Sequence, residues 1–138
     1  MALNLPRLKE QLVRHEGLRL KAYRDTVDKL TIGVGRNLDD VGISETEAMF
    51  LLDSDIATVE KDLDRALPWW RGMSEERQLV LADMCFNLGI SRLLGFKNTL
   101  AALQEGRYDE AAKEMLDSKW AQQVGKRAIT LADMMKEV

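Results

Sequence analysis

The stretch HEGLRLKAYRD, residues 15–25, decides how the fold begins, because a helical pattern ends inside it and a strand pattern starts. Leucines precede it at helical spacing, and Pro6 suits the first turn of a helix. We therefore predict a helix over residues 6–16, with Gly17 as its C-terminal cap. From residue 18 the apolar period becomes two, which is typical of a half-buried strand.

A second alternating stretch, LTIGVG at residues 30–35, follows after a turn. The two stretches predict a β-hairpin with one apolar and one polar face. The polar face carries Asp25, Thr31, Gly33 and Gly35. The glycines leave a bare strip of backbone that a flat or extended ligand can approach closely.

The rest of the sequence predicts helices. Ser44 and Glu47 form a capping box that begins a long helix over residues 44–67. Further helical patterns fill residues 68–138, including one from near Ser74 to Gly89 and one with Asp109 as its cap.

We predict an α+β, mainly α fold in a single domain, residues 1–138, with two lobes. A β-hairpin lobe covers about residues 17–43, and the helix over 44–67 connects it to an all-α lobe over about 68–138. The N-terminal helix, residues 6–16, joins the helical lobe.

Charge and composition exclude several classes of function. The net charge is −3 and the pI is about 5.3, which gives no basic surface for nucleic acid. The lone Cys85 allows no intrachain disulfide, and we expect it to be a buried small hydrophobe. The lone His15 cannot form a histidine metal cluster. For the reaction considered below, we expect that neither a metal nor a cofactor is needed. The first residues lack the pattern of a signal peptide or a membrane anchor.

Two carboxylates bracket the quoted stretch, with Asp25 nine residues after Glu16. Glycoside hydrolysis needs a protonated acid and an ionised partner in different environments. Glu16, beside apolar helix residues, suits the acid, and Asp25 suits the ionised partner. Thr31 would then orient a water molecule. The alternative is that Glu16 is an exposed helix end and Asp25 begins an ordinary turn.

The motif HEGLRLKAYRD followed by LTIGVG resembles the signature of the phage-type lysozymes, glycoside hydrolase family 24, which includes the T-even bacteriophage lysozyme-like endolysins. In that pattern a glutamate stands in EG, an aspartate follows nine residues later, and a threonine opens TIGxG. Glu16, Asp25 and Thr31 match these three places. The stretches FNLGISRLLGFKNTLAAL, RYDEAA and SKWAQQVGKRA resemble the family's C-terminal lobe.

The resemblance implies further site residues. Asn37 would lie at the edge of a cleft between the lobes, and Phe86 and Asn87 would line it. Thr99 would touch the sugar chain. Arg127 would lie near Glu16 and hold it in place.

Some positions depart from the family's pattern. Arg36 follows GVG where relatives often have a histidine, and Glu114 replaces a polar amide expected on the cleft wall. The acidic net charge also differs from that of basic relatives. These departures concern substrate affinity and cell-wall preference.

The resemblance implies a muramidase, an endolysin that cleaves the β-1,4 bond between N-acetylmuramic acid and N-acetylglucosamine in peptidoglycan, with inversion. An alternative is a lysozyme-like module of a phage tail or toxin that binds peptidoglycan without cleaving it. A third reading is a host-interaction protein that uses its acidic surface. We expect a monomer, made in the host cytoplasm, that reaches the wall through a holin or another route and acts in the periplasm without inserting into the membrane.

Three other features have simpler interpretations. Trp69 and Trp70 could form a sugar-stacking platform, but paired tryptophans after a helix more often pack, with at most one facing solvent. Trp120 is expected in the core. The acidic residues Asp39, Asp40, Asp53 and Asp55 lack the pattern of a calcium loop and are expected to be a solvated face.

Overall fold

A computed structural model describes residues 2–137. It contains two compact units, residues 1–50 and residues 51–138, and each is described by itself. The described residues form eight α-helices and one three-stranded antiparallel sheet. This architecture confirms the predicted α+β, mainly α fold class. Within residues 2–137, no helix has both the length and the apolar character needed to span a membrane.

The first unit contains one helix, three short strands and the start of a second helix. Its elements are α1 (Leu5–Glu16), β1 (Arg19–Arg24), β2 (Leu30–Gly33), β3 (Arg36–Asn37) and the first residues of α2 (Glu45–Ala66). The predicted association of helix 6–16 with the helical lobe stays a prediction.

Helix α1 has the ends that the sequence predicts. Asn4 caps its N-terminus by accepting a hydrogen bond from the Arg7 N–H at 3.1 Å, and Pro6 lies in the first turn. Gly17 ends the helix at φ 80°, and its N–H donates to the Val13 carbonyl at 2.8 Å. No residue of α1 is buried.

The sheet has the order β1-β2-β3, and its pairing shows which side chains share a face. Tyr23 pairs with Thr31, which pairs in turn with Asn37 on β3. Arg19 pairs with Gly33, and the register shifts between Arg19 and Tyr23. Directly opposed residues in antiparallel strands lie on one face. The predicted placement of Thr31 and Gly33 on one face is therefore confirmed, and Tyr23 lies on that face beside Thr31.

Burial in the sheet does not follow the apolar pattern. Thr31, on the polar face, is 3% exposed, whereas Leu20, on the other face, is 83% exposed. Among residues 2–50, Thr31 is the one buried residue. The geometry of the first unit consequently depends on its polar contacts.

The predicted capping box at the start of α2 is confirmed. The Glu47 carboxylate accepts a hydrogen bond from the Ser44 N–H at 2.9 Å, and the Ser44 hydroxyl accepts one from the Glu47 N–H at 3.1 Å. Glu47 also pairs with Arg36 of β3 at 2.7 Å. The Arg36 hydrogen bond, followed by the Ser44 N–H, lowers the pKa of Glu47 from its ordinary 4.5 to about 2.

The second unit begins within α2, and all its other elements are helices too. A short 3-10 turn (Trp70–Gly72) follows α2, and then come α3 (Glu75–Leu88), α4 (Ile90–Leu94), α5 (Lys97–Gln104), α6 (Tyr108–Leu116), α7 (Lys119–Val124) and α8 (Lys126–Lys136). One hydrophobic core joins them, and its fully buried side chains include Leu63, Leu81, Met84, Leu103, Met115 and Met135.

The starts of α3 and α6 and the burial of Cys85 bear on predictions made from the sequence. Helix α3 starts next to Ser74 as predicted, with Ser74 as its cap, but the prediction that Asp109 caps a helix is wrong. Helix α6 already begins at Tyr108, so Asp109 lies within its first turn, where a carboxylate also interacts favourably with the helix dipole. The expected burial of Cys85 is confirmed, and that burial raises the pKa of its thiol.

The tryptophan pair packs instead of forming an open platform. Trp70 is buried and donates its indole N–H to Asp64 at 2.8 Å. Trp69 is half-buried and packs against the core. The interpretation that at most one of them faces solvent is confirmed.

We expect Glu47→Gln to lower the melting temperature by a few degrees at pH 7. Glutamine keeps the capping hydrogen bond but removes the charge that pairs with Arg36. A carboxyl group whose folded pKa is depressed stabilises the fold above its unfolded pKa, and this contribution is lost as the pH falls through the folded value. The difference between parent and variant should therefore shrink between pH 4.5 and about 2. A difference that stays constant in thermal unfolding from pH 7 to 2 would contradict this assignment.

We expect Leu103→Ala to destabilise the protein by about 2–5 kcal/mol, because a fully buried leucine leaves a cavity when truncated. The matched control is Leu20→Ala, at a leucine that is 83% exposed; it should change stability by less than about 0.5 kcal/mol. Urea unfolding monitored by circular dichroism measures both. Equal losses would show that the core is not where the burial indicates.

Candidate active site

Glu16 is the last residue of α1, and its exposed carboxylate lies against the turn between β2 and β3. A Cβ atom added to Gly35 would be 2.5 Å from the Glu16 Oε2 atom. Gly35 also has φ +66°, a conformation that residues with side chains rarely adopt. The backbone conformation therefore favours glycine at position 35, and a side chain there would push the Glu16 carboxylate aside.

Asp25 follows β1, and backbone amides of the next turn orient its carboxylate. Its Oδ1 atom accepts hydrogen bonds from the Val27 N–H at 3.0 Å and the Lys29 N–H at 2.8 Å. The Asp25 N–H in turn donates to the Lys29 carbonyl at 3.0 Å. Within residues 2–137 the Oδ2 atom has no hydrogen-bond partner, so it is available to a water molecule or a ligand.

Thr31 is attached to the same turn by its side chain. Its hydroxyl donates to the Lys29 carbonyl at 2.9 Å. The hydroxyl hydrogen is thereby used, but the oxygen can still accept a hydrogen bond. Asp25 and Thr31 are thus fixed on the N–H and the C=O of one residue, Lys29.

Asn37, predicted at the edge of the site, belongs to β3 and organises the loop after it. Its amide donates to the Asp40 carboxylate at 3.0 Å, and its side-chain oxygen accepts from the Asp40 N–H at 2.9 Å. Hydrogen bonds from Lys29 and then from Asn37 lower the pKa of Asp40. Asp39 accepts a hydrogen bond from the Leu30 N–H at 2.8 Å. These two aspartates are exposed, as expected, but they also fix the hairpin, which the sequence pattern did not indicate.

Three of the predicted site residues of the second unit line two cavities. Thr99, which is buried, and Glu114 line a cavity of about 410 Å³. Phe86 and Arg127 line another of about 510 Å³. Arg127 donates two hydrogen bonds to Asp83, at 2.6 and 2.9 Å. Its predicted position near Glu16 stays a prediction.

Asn87 has a partner that sequence reasoning missed. Its side-chain oxygen accepts the indole N–H of the buried Trp120 at 2.8 Å. Phe96 packs edge-on against Trp120, with ring centroids 5.9 Å apart. The predicted core position of Trp120 is confirmed. The pairing with Asn87 spans 33 residues, so no local pattern signals it.

Comparison with known proteins decides the family of this chain. The sequence model of the phage lysozyme family matches residues 13–134. The chain belongs to the phage lysozyme family. The match includes Glu16, Asp25 and Thr31 as well as the two cavities of the helical unit.

Individual relatives of this phage lysozyme domain carry different names. It is 31% identical to the pre-baseplate central spike protein Gp5 of Enterobacteria phage T4, over 86% of this chain but only 26% of that protein. It is 27% identical to "Probable T4-type lysozyme 1" of Dictyostelium discoideum, over 88% of both chains. It is 30% identical to an endolysin of Acyrthosiphon pisum secondary endosymbiont phage 1, over 83% of this chain and 78% of the relative. The chain thus spans about a quarter of the spike protein and most of the other two.

We expect Gly35→Ala to displace the Glu16 carboxylate, because the new methyl group would occupy its position. Gly33→Ala is a matched control: Gly33 also has a positive φ of +70°, but a Cβ there meets nothing within 4 Å. Both variants should lose about 1–2 kcal/mol through backbone strain. Only Gly35→Ala should move the ¹³C resonance of the Glu16 carboxyl group, assigned with Glu16→Gln. Equal displacement in both variants would exclude a specific contact.

Proposed function

We propose that this phage lysozyme domain is a muramidase that hydrolyses the β-1,4 bond between N-acetylmuramic acid and N-acetylglucosamine in peptidoglycan. One observation supports it most strongly: the Glu16 carboxylate lies against the same hairpin that carries Asp25 and Thr31. Membership of the phage lysozyme family and the names of the relatives favour the same class of reaction.

Glu16 is the proposed general acid. Glu16 is an exposed residue, and its carboxyl group would reach the glycosidic oxygen of a bound glycan strand. Proton transfer from Glu16 to that oxygen would let the bond to the anomeric carbon break through an oxocarbenium-like transition state. Gly35, which has no side chain, leaves this carboxyl group room beside the turn.

Asp25 and Thr31 are proposed to position the attacking water. The Asp25 Oδ2 atom, which has no partner within residues 2–137, and the Thr31 oxygen would each accept one hydrogen bond from the water. These bonds would hold both water hydrogens and direct a lone pair of the water oxygen at the anomeric carbon. In the same step, Asp25 would take a proton from the attacking water while Glu16 gives its own proton to the leaving oxygen. The family resemblance implies inversion, for which the two carboxyl groups should be about 6.5–9.5 Å apart.

The residues of the helical unit offer suitable contacts for an N-acetylated sugar chain. Phe86 is half-exposed and can pack on the apolar face of a sugar ring. Asn87 uses its oxygen for Trp120, which leaves its NH₂ group to donate to an acetamido carbonyl. Thr99 would contact the sugar chain through the cavity that it shares with Glu114. In the hairpin, Asn37 stays a proposed substrate contact.

We expect Glu16→Gln to reduce product release at least about 10²-fold, because the amide cannot supply the proton. Asp25→Asn should also lose most activity, since the amide cannot accept the proton of the water. The measurement is mass spectrometry of muropeptides released from purified Gram-negative sacculi, where muramidase action leaves reducing N-acetylmuramic acid. Glu10→Gln, on the exposed surface of the same helix, is the matched control and should keep full activity. Full activity in Glu16→Gln would refute the assigned acid.

The alternative is a lysozyme-like module that binds peptidoglycan without cleaving it, and similarity to a phage spike protein favours it. Cosedimentation with sacculi distinguishes the two functions. Binding by the parent protein with no release of muropeptides would support the module. Release of muropeptides with reducing N-acetylmuramic acid ends would exclude it.

A further inference from the structure

We propose that Arg36 is a positioning residue for Glu16, acting through the turn that contains Gly35; this role in the reaction depends on the function proposed above. Arg36 lies on β3, directly after the glycine against which the Glu16 carboxylate packs. It touches neither the reacting bond nor the attacking water in the proposed mechanism.

The Arg36 guanidinium links the sheet to the first turn of α2 through three acceptors. Its Nη1 atom donates to the Gly42 carbonyl at 3.1 Å and to Glu47 Oε1 at 2.8 Å. Its Nη2 atom lies 2.7 Å from Glu47 Oε2. A planar guanidinium can hold a carboxylate with two parallel bonds and still reach a carbonyl, which an imidazole with two opposed nitrogens cannot do.

The Glu47 end of this link is itself fixed. The Glu47 carboxylate closes the capping box with Ser44 at the start of a helix of 22 residues. Arg36 thereby links β3 to helix α2, because the Glu47 carboxylate that it binds cannot move without breaking the capping hydrogen bonds.

The turn between β2 and β3 needs such support. It consists of the exposed Val34 followed by Gly35, and it directly follows Gly33, the last residue of β2; both glycines have positive φ. Glycine has the greatest conformational freedom in an unfolded or mobile segment, and residues 2–50 bury no apolar side chain that could hold this turn by packing. With the Arg36 link broken, Gly35 would shift, and the Glu16 carboxylate would lose the backbone surface next to which it lies.

This role predicts a larger effect on turnover than on stability. The Arg36 and Glu47 side chains are both more than a third exposed, and exposed ion pairs contribute little to folding. A small displacement of a reacting group, in contrast, can slow a reaction 10²-fold. We expect Arg36→Gln to lower kcat about 10- to 100-fold with KM changed less than about twofold, and Arg36→Lys to give an intermediate kcat.

The test measures kcat and KM for parent, Arg36→Gln and Arg36→Lys on soluble glycan fragments, with the folded fraction from circular dichroism. Arg65→Gln, which removes a surface ion pair with Asp62 within α2, is the matched control and should keep the parental kcat. In the Gly35→Ala background, Arg36→Gln should lower kcat by a smaller factor than it does in the parent protein, because both changes act on the same contact. The proposal would be overturned if Arg36→Gln left kcat unchanged or if the unfolded fraction explained its loss of kcat. It would also be overturned if the effects of Arg36→Gln and Gly35→Ala on kcat were fully additive.

A second readout separates this proposal from the proposed function. Arg36→Gln should move the ¹³C resonance of the Glu16 carboxyl group, and Arg65→Gln should not. If the parent protein releases no product, the proposed function fails, and this resonance alone decides whether Arg36 positions Glu16. A Glu16 resonance unchanged by Arg36→Gln would overturn the proposal whatever the activity.

Discussion

The first compact unit is held together by hydrogen bonds and ion pairs, because residues 2–50 contain no buried apolar side chain. Its buried residue is a threonine, and Leu20 in the sheet is 83% exposed. A unit of this kind gains little from the hydrophobic effect within itself. Each polar contact then carries a larger share of the geometry than it would beside a packed core. The precise positions of Glu16 and Asp25 follow from contacts that are individually weak.

The helical unit is stabilised in a different way. Its core is formed by leucines, methionines and alanines from α2 to α8, and Trp120 adds a buried aromatic ring whose N–H is satisfied by Asn87. Packing of this kind fixes side chains cooperatively, since the interior is dense and leaves few alternative rotamers. Changes in this core should therefore affect global stability, whereas changes among the polar contacts of the first unit should affect the site with little loss of stability.

Periodicity and capping signals predicted most of the elements, because these signals are local. The change from helical to alternating spacing near Gly17, and the Ser44–Glu47 capping box, correspond to what the structure contains. The prediction of Asp109 as a cap was wrong because a local sequence pattern defines a helix end only to within a residue or so. Contacts between distant residues had no local signal: Asn87 with Trp120, Arg127 with Asp83, and Arg36 with Glu47. The sequence placed Thr31 on the correct face of the sheet. Alternation alone could not show that this polar face, and not the apolar one, contains the buried residue.

The two proposed catalytic carboxylates are supported by separate sets of contacts. Asp25 and Thr31 both bind the backbone of Lys29, so the water site depends on one tight turn and not on any side chain of that residue. Glu16 instead depends on the end of α1 and on the turn at Gly35, which Arg36 ties to α2. The position of the acid can therefore change while the water site stays intact. In an inverting reaction the separation of the two carboxyl groups sets the room for water. Under the proposed function, the contacts around Gly35 consequently control that separation more than those around Asp25 do.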